Sequence, residues 1–371
     1  MKIPLSQPDI TEAEIEAVTA VLRTSRLSLG PKLEEFEHAM ASYVGMPHAV
    51  AVNSGTSGLH LCVRALGIGD EDEVIVPSFT FIAAANAIRY ERARPVFVDI
   101  EPHTLNLDPE KIEAAITPRT RAIMAVHSFG VPLPIDAILA IAKRHDLFVI
   151  EDACEAVGAE YKGCQAGSFG HAAVFAFYPN KQVTTGEGGM IVTGDVALAC
   201  RMRALRNQGR YDSDDWFQHQ EIGYNYRISE INCALGIEQL KRISEILSRR
   251  EEVAKAYHRE LEDIRELILP PIHVAGSRIS WFVYVVRLAG NFTAHHRDKL
   301  MSYLQSEGIG CARYFAPIHL QPSYAEWRET HLPVTESESA RTLALPFFNR
   351  LSQAQISEVG KALRSGLRML D

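Results

Sequence analysis

The sequence predicts an α/β protein: a mainly parallel sheet covered by helices on both faces, followed by a small α+β C-terminal domain. Three observations carry this reading. From residue 48 to residue 152, short apolar, β-rich runs alternate with helical patterns, as parallel strands joined by crossover helices do. After residue 264 the pattern breaks and resumes as strand, helix, strand, helix. Finally, 371 residues are too many for one ordinary core, which places a large domain at 1–245 and a smaller one at 246–371.

An extended IPLSQP leads into TEAEIEAVTAVL, a helix from Thr11 to Leu22 with Thr11 as N-cap and Glu14 completing a capping box. SLGPKLEEFEHAMASYVG gives a second helix ending at Gly45, and HAVAVNSGTSGLHLCVRALGI runs strand, glycine turn, helix. DEVIVPS, RPVFVDI, RAIMAVHS and LFVIEDA follow as strands, separated by the helical FIAAANAIRYE, DPEKIEAAI and DAILAIAKRHD. AAVFAFY and GGMIVTG are two further short strands. DVALACRMRALRNQG is a helix, and SEINCALGIEQLKRISEILSRREEVAKAYHRELE reads as one long helix leading out of the large domain. Beyond LILPPIHVAGSRIS, the runs SWFVYVVRL and CARYF are expected strands, and HHRDKLMSYLQSEGI and SQAQISEVGKALRSGL expected helices. No fixed-period repeat is evident.

An apolar fraction of 47% with 23% charged residues describes an ordinary soluble, enzyme-sized chain. The net charge of −8 argues against general nucleic-acid binding, which needs a clustered cationic surface. A small anionic substrate needs only local cations. The six cysteines are dispersed, with no C-x-x-C and no Cys/His spacing suited to zinc, so they read as reduced and structural, and no metal is expected. MKIPLSQPDITEAEIEAV lacks an apolar signal core, and no run approaches the roughly 18 apolar residues of a membrane span. The expected compartment is the cytoplasm.

In an open parallel sheet, ligands sit outside the carboxyl ends of the strands. Four places there are chemically pointed, and each also has a plain structural reading. In NSGTSGL, Gly55, Thr56 and Ser57 precede a helix whose amides and dipole favour a phosphate, or simply form a capped helix start. In FVIEDACEAVG, Glu151 and Asp152 end an apolar strand, where an acid can also cap the next helix. Lys181, in FAFYPNKQVTTGEGGMIV, is on its own a solvated loop lysine. Asn225 and Arg227, in GYNYRISEIN, are on their own a polar helix start.

Together these residues match the attachments of pyridoxal phosphate. A lysine forms the Schiff base, an acid pairs with the pyridinium nitrogen, and a helix terminus holds the phosphate. The carboxylate keeps the ring nitrogen protonated and therefore an electron sink. The lysine has to lose its proton to act, and burial among Phe175, Phe177 and Tyr178 is a source of the required pKa depression.

Nearly the whole chain resembles the DegT/DnrJ/EryC1/StrS sugar aminotransferase family, and its perosamine-synthase-like members in particular. The landmarks are SGTSGLHL, VIVPSFTFIAAANAI, RPVFVDI, VIEDACEAVGA, FYPNKQVTTGEGGMIVT, GYNYRISEINCALGIEQL, YFAPIHLQP and LALPFF, in the family's order. The resemblance implies the aspartate-aminotransferase-like fold type I, with a sheet of seven-stranded type sandwiched by helices. It implies that Lys181 is the Schiff-base lysine and proton shuttle, with Asp152 on the pyridine nitrogen. Gly55, Thr56 and Ser57 would hold the phosphate, and Phe81 would stack on the ring. Asn225 would reach the neighbouring subunit's cofactor phosphate, which implies a homodimer with shared active sites. Tyr314 and His319 would lie near a sugar nucleotide, whose phosphates need cations such as Arg26, Arg210, Arg227 and Arg313.

The implied reaction moves an amino group from L-glutamate to a keto sugar of a nucleoside-diphosphate sugar. Two positions depart from the family pattern: Ala176 stands where a serine commonly donates to the cofactor phosphate, and Glu155 stands where Gln or His commonly adjoins the phenolic oxygen. A sugar dehydratase of the same family would carry His in place of Lys181. A non-catalytic regulator would have no need of Lys181, Asp152 and the phosphate turn together.

Overall fold

The computed structural model describes residues 2–212, 215 and 217–370. Its main sheet has seven strands, ordered His48–Val52, Gly189–Thr193, Ala172–Ala176, Phe148–Asp152, Thr120–Val126, Glu73–Pro77 and Arg94–Val98. Gly189–Thr193 alone runs against the others, pairing antiparallel with both neighbours. The five strands from Ala172–Ala176 across to Arg94–Val98 pair in parallel. Glu73–Pro77 and Gly189–Thr193 are buried along their whole length, as expected of strands covered on both faces.

Helix Gly55–Ala65 lies in the core of one face with Ala83–Tyr90 and Val196–Arg206, while Pro31–Val44 and Glu230–Lys241 pack on the other side of the same strands. Pro31–Val44 stops where the sequence says, at Gly45, whose φ of 78° is the left-handed cap that glycine adopts without cost. DPEKIEAAI is shorter than expected: one α-turn, Pro109–Ile112, then a 3-10 turn, Glu113–Ala115. Among the described residues no helix is long and apolar enough to cross a membrane.

The long helix expected after residue 229 is two helices, Glu230–Lys241 and Ile243–Leu261. They are separated at Arg242 (φ −97°, ψ 6°). Its guanidinium reaches back to the N-terminal helix, bonding Glu14 at 2.8 Å and Asp9 at 3.3 Å. Long-range ion pairing therefore fixes a turn that the local pattern ran straight through. Ile243 and Leu247 then belong to the core under the main sheet, whereas Val253, Tyr257 and Leu261 belong to the second core.

That second core lies between Ile243–Leu261, Ala294–Ser306, Gln353–Leu367 and a three-stranded antiparallel sheet ordered Leu267–Ile268, Tyr284–Leu288, Thr342–Leu345. CARYF, expected as a strand, makes a single bridge, Ala312 to Ala344, and the strand in that place is Thr342–Leu345. The CARYF aromatics turn instead toward Phe79, Phe129 and Phe282. Beyond residue 245, Ile318, Tyr324, Trp327 and Leu332 return to the core of the main sheet.

Glu14 illustrates how the N-terminal helix is held. Its buried carboxylate accepts the Thr11 N–H at 2.8 Å, completing the capping box, and the Gln239 side-chain N–H at 2.7 Å. Burial pushes its pKa up, but the Thr11, Arg242 and Gln239 donors outweigh burial and hold it down at about 2. The folded pKa thus lies below the unfolded value of about 4.3, so this stabilisation is present above about pH 4.3 and is lost as the pH falls toward 2. The stability difference between the parent and Glu14→Gln, measured by denaturant titration, is expected to shrink over that interval. A difference independent of pH would contradict the pairing.

Candidate active site

Three strands of the main sheet end at one cavity: Val126, Asp152 and Ala176, the last residues of Thr120–Val126, Phe148–Asp152 and Ala172–Ala176, all line it. Its volume is about 450 Å³. The wall is completed by Ser54, Gly55 and Thr56 at a helix start, by Thr80 and Phe81 after Glu73–Pro77, and by Phe282, Tyr314 and Phe315 from the C-terminal part of the chain.

Lys181 is carried by the loop between Ala172–Ala176 and Gly189–Thr193. The loop closes on itself: Phe177 N–H donates to Gly188 O at 3.0 Å, and Thr185 N–H donates to Phe177 O at 2.9 Å. Gly186 takes φ 81°, and a Cβ on Gly189 would stand 2.6 Å from Ser54 O, so glycine lets this loop lie directly against the helix start. The lysine side chain is 12% exposed, with Nζ 3.5 Å from Glu155 Oε1 and 3.8 Å from the centre of the Phe282 ring.

Asp152 is buried, and its Oδ1 accepts the Cys154 N–H at 3.1 Å. Burial pushes its pKa up, and Cys154 and Lys181 pull against that. Among the described residues no ion pair is formed by Asp152, so a protonated ring nitrogen in the cavity would supply the cation that this buried carboxylate lacks. Glu155 is likewise pushed up by burial and pulled down by Lys181, and its Oε2 accepts the Phe129 N–H at 2.9 Å. Burial pushes the Tyr314 phenol up to about 12.

At the helix start Ser54 is the N-cap, its Oγ accepting the Ser57 N–H at 3.1 Å. Gly55 and Thr56 line the cavity, and as first-turn residues their N–H groups have no acceptor within the helix, which suits a phosphate. A Cβ on Gly55 would stand 2.8 Å from Ala176 Cβ, so the helix start packs directly on the alanine that departs from the family pattern. Backbone donors and the Thr56 hydroxyl are what this wall offers in place of the expected serine.

Gly55, Thr56, Phe81, Asp152, Glu155, Lys181 and Tyr314 are therefore brought together. Seven other sequence candidates are not. Ser57 turns inward, its Oγ donating to Asn53 Oδ1 at 2.6 Å. His319 is fully buried, its Nδ1 2.7 Å from Ser78 Oγ, because the segment around it serves the main core. Arg26 is exposed, Arg227 donates to Asn207 and Gln208, and Arg313 pairs with Asp298 at 2.8 Å. Arg210 and Asn225 are likewise absent from the wall, and Asn225 is exposed while the rings of its sequence neighbours Tyr224 and Tyr226 stack on each other. Residues the sequence reading missed are Ser54, Thr80, Asn180, Glu187 and Phe282. Asn180 and Glu187 lie in the lysine loop, whose polar residues are the signal for them; Phe282 carries no local signal.

A lysine, a buried aspartate and a helix start meeting beyond the strand ends of this sheet define a class, the fold type I pyridoxal-phosphate-dependent aminotransferases. A model of the DegT/DnrJ/EryC1/StrS aminotransferase family matches residues 8–364, and the chain belongs to that family. It is 44% identical over 365 residues to GDP-perosamine synthase of Caulobacter vibrioides, covering 98% of this chain and 97% of the relative. It is 41% identical over 382 residues to the spore coat polysaccharide biosynthesis protein SpsC of Bacillus subtilis, covering 100% and 98%. Among solved structures, Spr1654 of Streptococcus pneumoniae in its PLP-form has a TM-score of 0.94 at 27% identity, covering 100% of this chain and 99% of that one. The protein is a pyridoxal-phosphate-dependent sugar aminotransferase.

Proposed function

We propose that this chain transfers the amino group of L-glutamate to a keto sugar carried on a nucleoside diphosphate, acting in the cytoplasm as a homodimer whose sites are each built from both subunits. The observation that carries the reading is the convergence of Lys181, Asp152 and the Gly55 helix start on one cavity. The name of the Caulobacter relative, GDP-perosamine synthase, supports a nucleotide-linked sugar as acceptor. The division into domains at 1–245 and 246–371 is part of the same reading.

When bound, pyridoxal phosphate supplies the electron sink for both halves of the exchange. The N–H groups of Gly55 and Thr56, with the Thr56 hydroxyl, would hold its phosphate, and Phe81 would cover its ring. Asp152 would keep a proton on the ring nitrogen. Lys181 moves a proton at Nζ, as base in one direction and acid in the other. Phe282, Tyr314 and Phe315 exclude water from that proton transfer.

Two features support a shared site. Among the described residues Lys181 is the only cation on the cavity wall, although the proposed acceptor carries phosphates. Phe81 and Tyr178 are 60% and 52% exposed at that cavity, a surface that a second subunit would cover. If Asn225 reaches the neighbouring site, Asn225→Ala is expected to hold pyridoxal phosphate about tenfold or more weakly, as loss of a hydrogen bond to a charged group implies. Mixing it with Lys181→Ala under subunit exchange should restore part of the activity. Mixtures no more active than the two variants measured separately would argue against the shared site.

The reading as a whole is tested by incubating the holoenzyme with L-glutamate and a panel of nucleotide keto sugars, followed by mass spectrometry. The expected product carries an amino group in place of the ketone. A cofactor absorption band that does not shift on adding L-glutamate would sink the proposal.

A further inference from the structure

Gln182, next to the lysine, is 2% exposed and does not line the cavity, yet its side-chain amide is spent on two groups from distant parts of the chain. Its Nε2 donates to the Glu155 carbonyl at 2.7 Å and to Ser280 Oγ at 2.9 Å. Because a carbonyl only accepts, this orientation of the amide is forced. The other end of the amide, Oε1, is buried with no hydrogen-bond partner among the described residues. An orphaned buried acceptor is unfavourable, so stability alone is a poor reason for a glutamine here.

One partner is the backbone carbonyl of Glu155 and the other is the side-chain hydroxyl of Ser280, two residues before Phe282, so Gln182 joins the two segments whose side chains face Lys181. Glu155 presents Oε1 to Nζ at 3.5 Å, and Phe282, two residues after Ser280, presents its ring face at 3.8 Å. A second brace runs through the Phe129 peptide, whose N–H donates to Glu155 Oε2 at 2.9 Å and whose carbonyl accepts the Phe282 N–H at 3.2 Å. Gly130 leaves room for both: a Cβ there would stand 2.8 Å from Ser280 Oγ and 3.2 Å from Glu155 O.

We propose that Gln182 is a positioning residue for Lys181, bracing the Glu155 carboxylate and the Phe282 ring on either side of the lysine nitrogen. The proposal rests on the reading of Lys181 as the cofactor lysine. Both braced contacts favour a cationic nitrogen, one by charge and one through the ring quadrupole. Loosening them lowers the pH at which the lysine-bound cofactor gives up its proton. The other ionisable groups on the cavity wall, Asp152, Cys154, Tyr178, Glu187 and Tyr314, are not held by Gln182 and stay in place.

The test is Gln182→Met, which keeps the bulk and removes both donors, with the pH midpoint of the cofactor absorption band read in the holoenzyme. The expected result is a midpoint lowered by about half a unit or more, as for loss of a nearby charge or ring contact. The glutamate half-reaction should slow about tenfold to a hundredfold, as for a misplaced catalytic group. In the double variant with Phe282→Leu the effects should not add. An unmoved midpoint with additive effects overturns the proposal.

Should the methionine variant fail to fold, Ser280→Ala decides, since it removes one of the two acceptors. A lowered midpoint supports the brace and an unchanged one overturns it. Failure of the underlying reading is recognised separately: Lys181→Ala protein that kept the lysine-dependent band would remove Lys181 as the attachment point, whatever Gln182 does.

Discussion

Replacing Lys181 by alanine is expected to lower turnover by about ten-thousand-fold or more, the upper end of what a positioned acid–base group contributes. The effect is large because the same nitrogen is asked to anchor the cofactor and to move the proton, and no second lysine or arginine lines the cavity among the described residues. Folding should survive. Lys181 belongs to none of the apolar cores, and the loop that carries it is closed by backbone bonds from Phe177 to Gly188 and Thr185. Loss of the ammonium leaves Glu155 without its cation, but burial already pushes that carboxyl upward, which favours its neutral form over a stranded charge. Steady-state turnover beside a thermal melt checks both halves: near-parental activity would remove Lys181 from the mechanism, and a collapsed melt would make it structural.

Asp152→Asn is expected to leave the cofactor bound while slowing the glutamate half-reaction about a hundredfold to a thousandfold, the range for losing one preorganised electrostatic partner. The geometry explains the split. The phosphate-type helix start at Gly55 lies elsewhere on the wall, so affinity is carried largely without Asp152. The Asn carbonyl can still accept the Cys154 N–H, now 3.1 Å from Oδ1, so the strand end keeps its shape. What disappears is the buried negative charge, and with it the means of holding a proton on a ring nitrogen. Single-turnover absorbance after mixing with L-glutamate separates the outcomes, and an unchanged rate with full cofactor occupancy would refute the pairing.

The order of elements, the Thr11–Glu14 capping box, the Gly45 stop and the positions of Asp152 and Lys181 were legible in the sequence by itself. All but Lys181 rest on local chemistry: apolar period, a capping side chain, a left-handed glycine, an acid at the end of a buried strand. Lys181, alone an ordinary loop lysine, stood out only beside Asp152 and the Gly55 turn and through the family resemblance. Tertiary structure decided what depends on groups far apart in the chain. The break at Arg242 follows from its reach to Asp9 and Glu14, and CARYF lost its strand to Thr342–Leu345 because pairing with Tyr284–Leu288 is settled across the sheet. Ser57 and His319 have the right residue types, but helix capping and core packing turned them inward. Phe282 reached the lysine, and Gln182 bound Glu155 to Ser280, through the meeting of segments about a hundred residues apart, which no local pattern encodes. The sequence by itself named the lysine; packing chose the carboxylate and the ring that hold it.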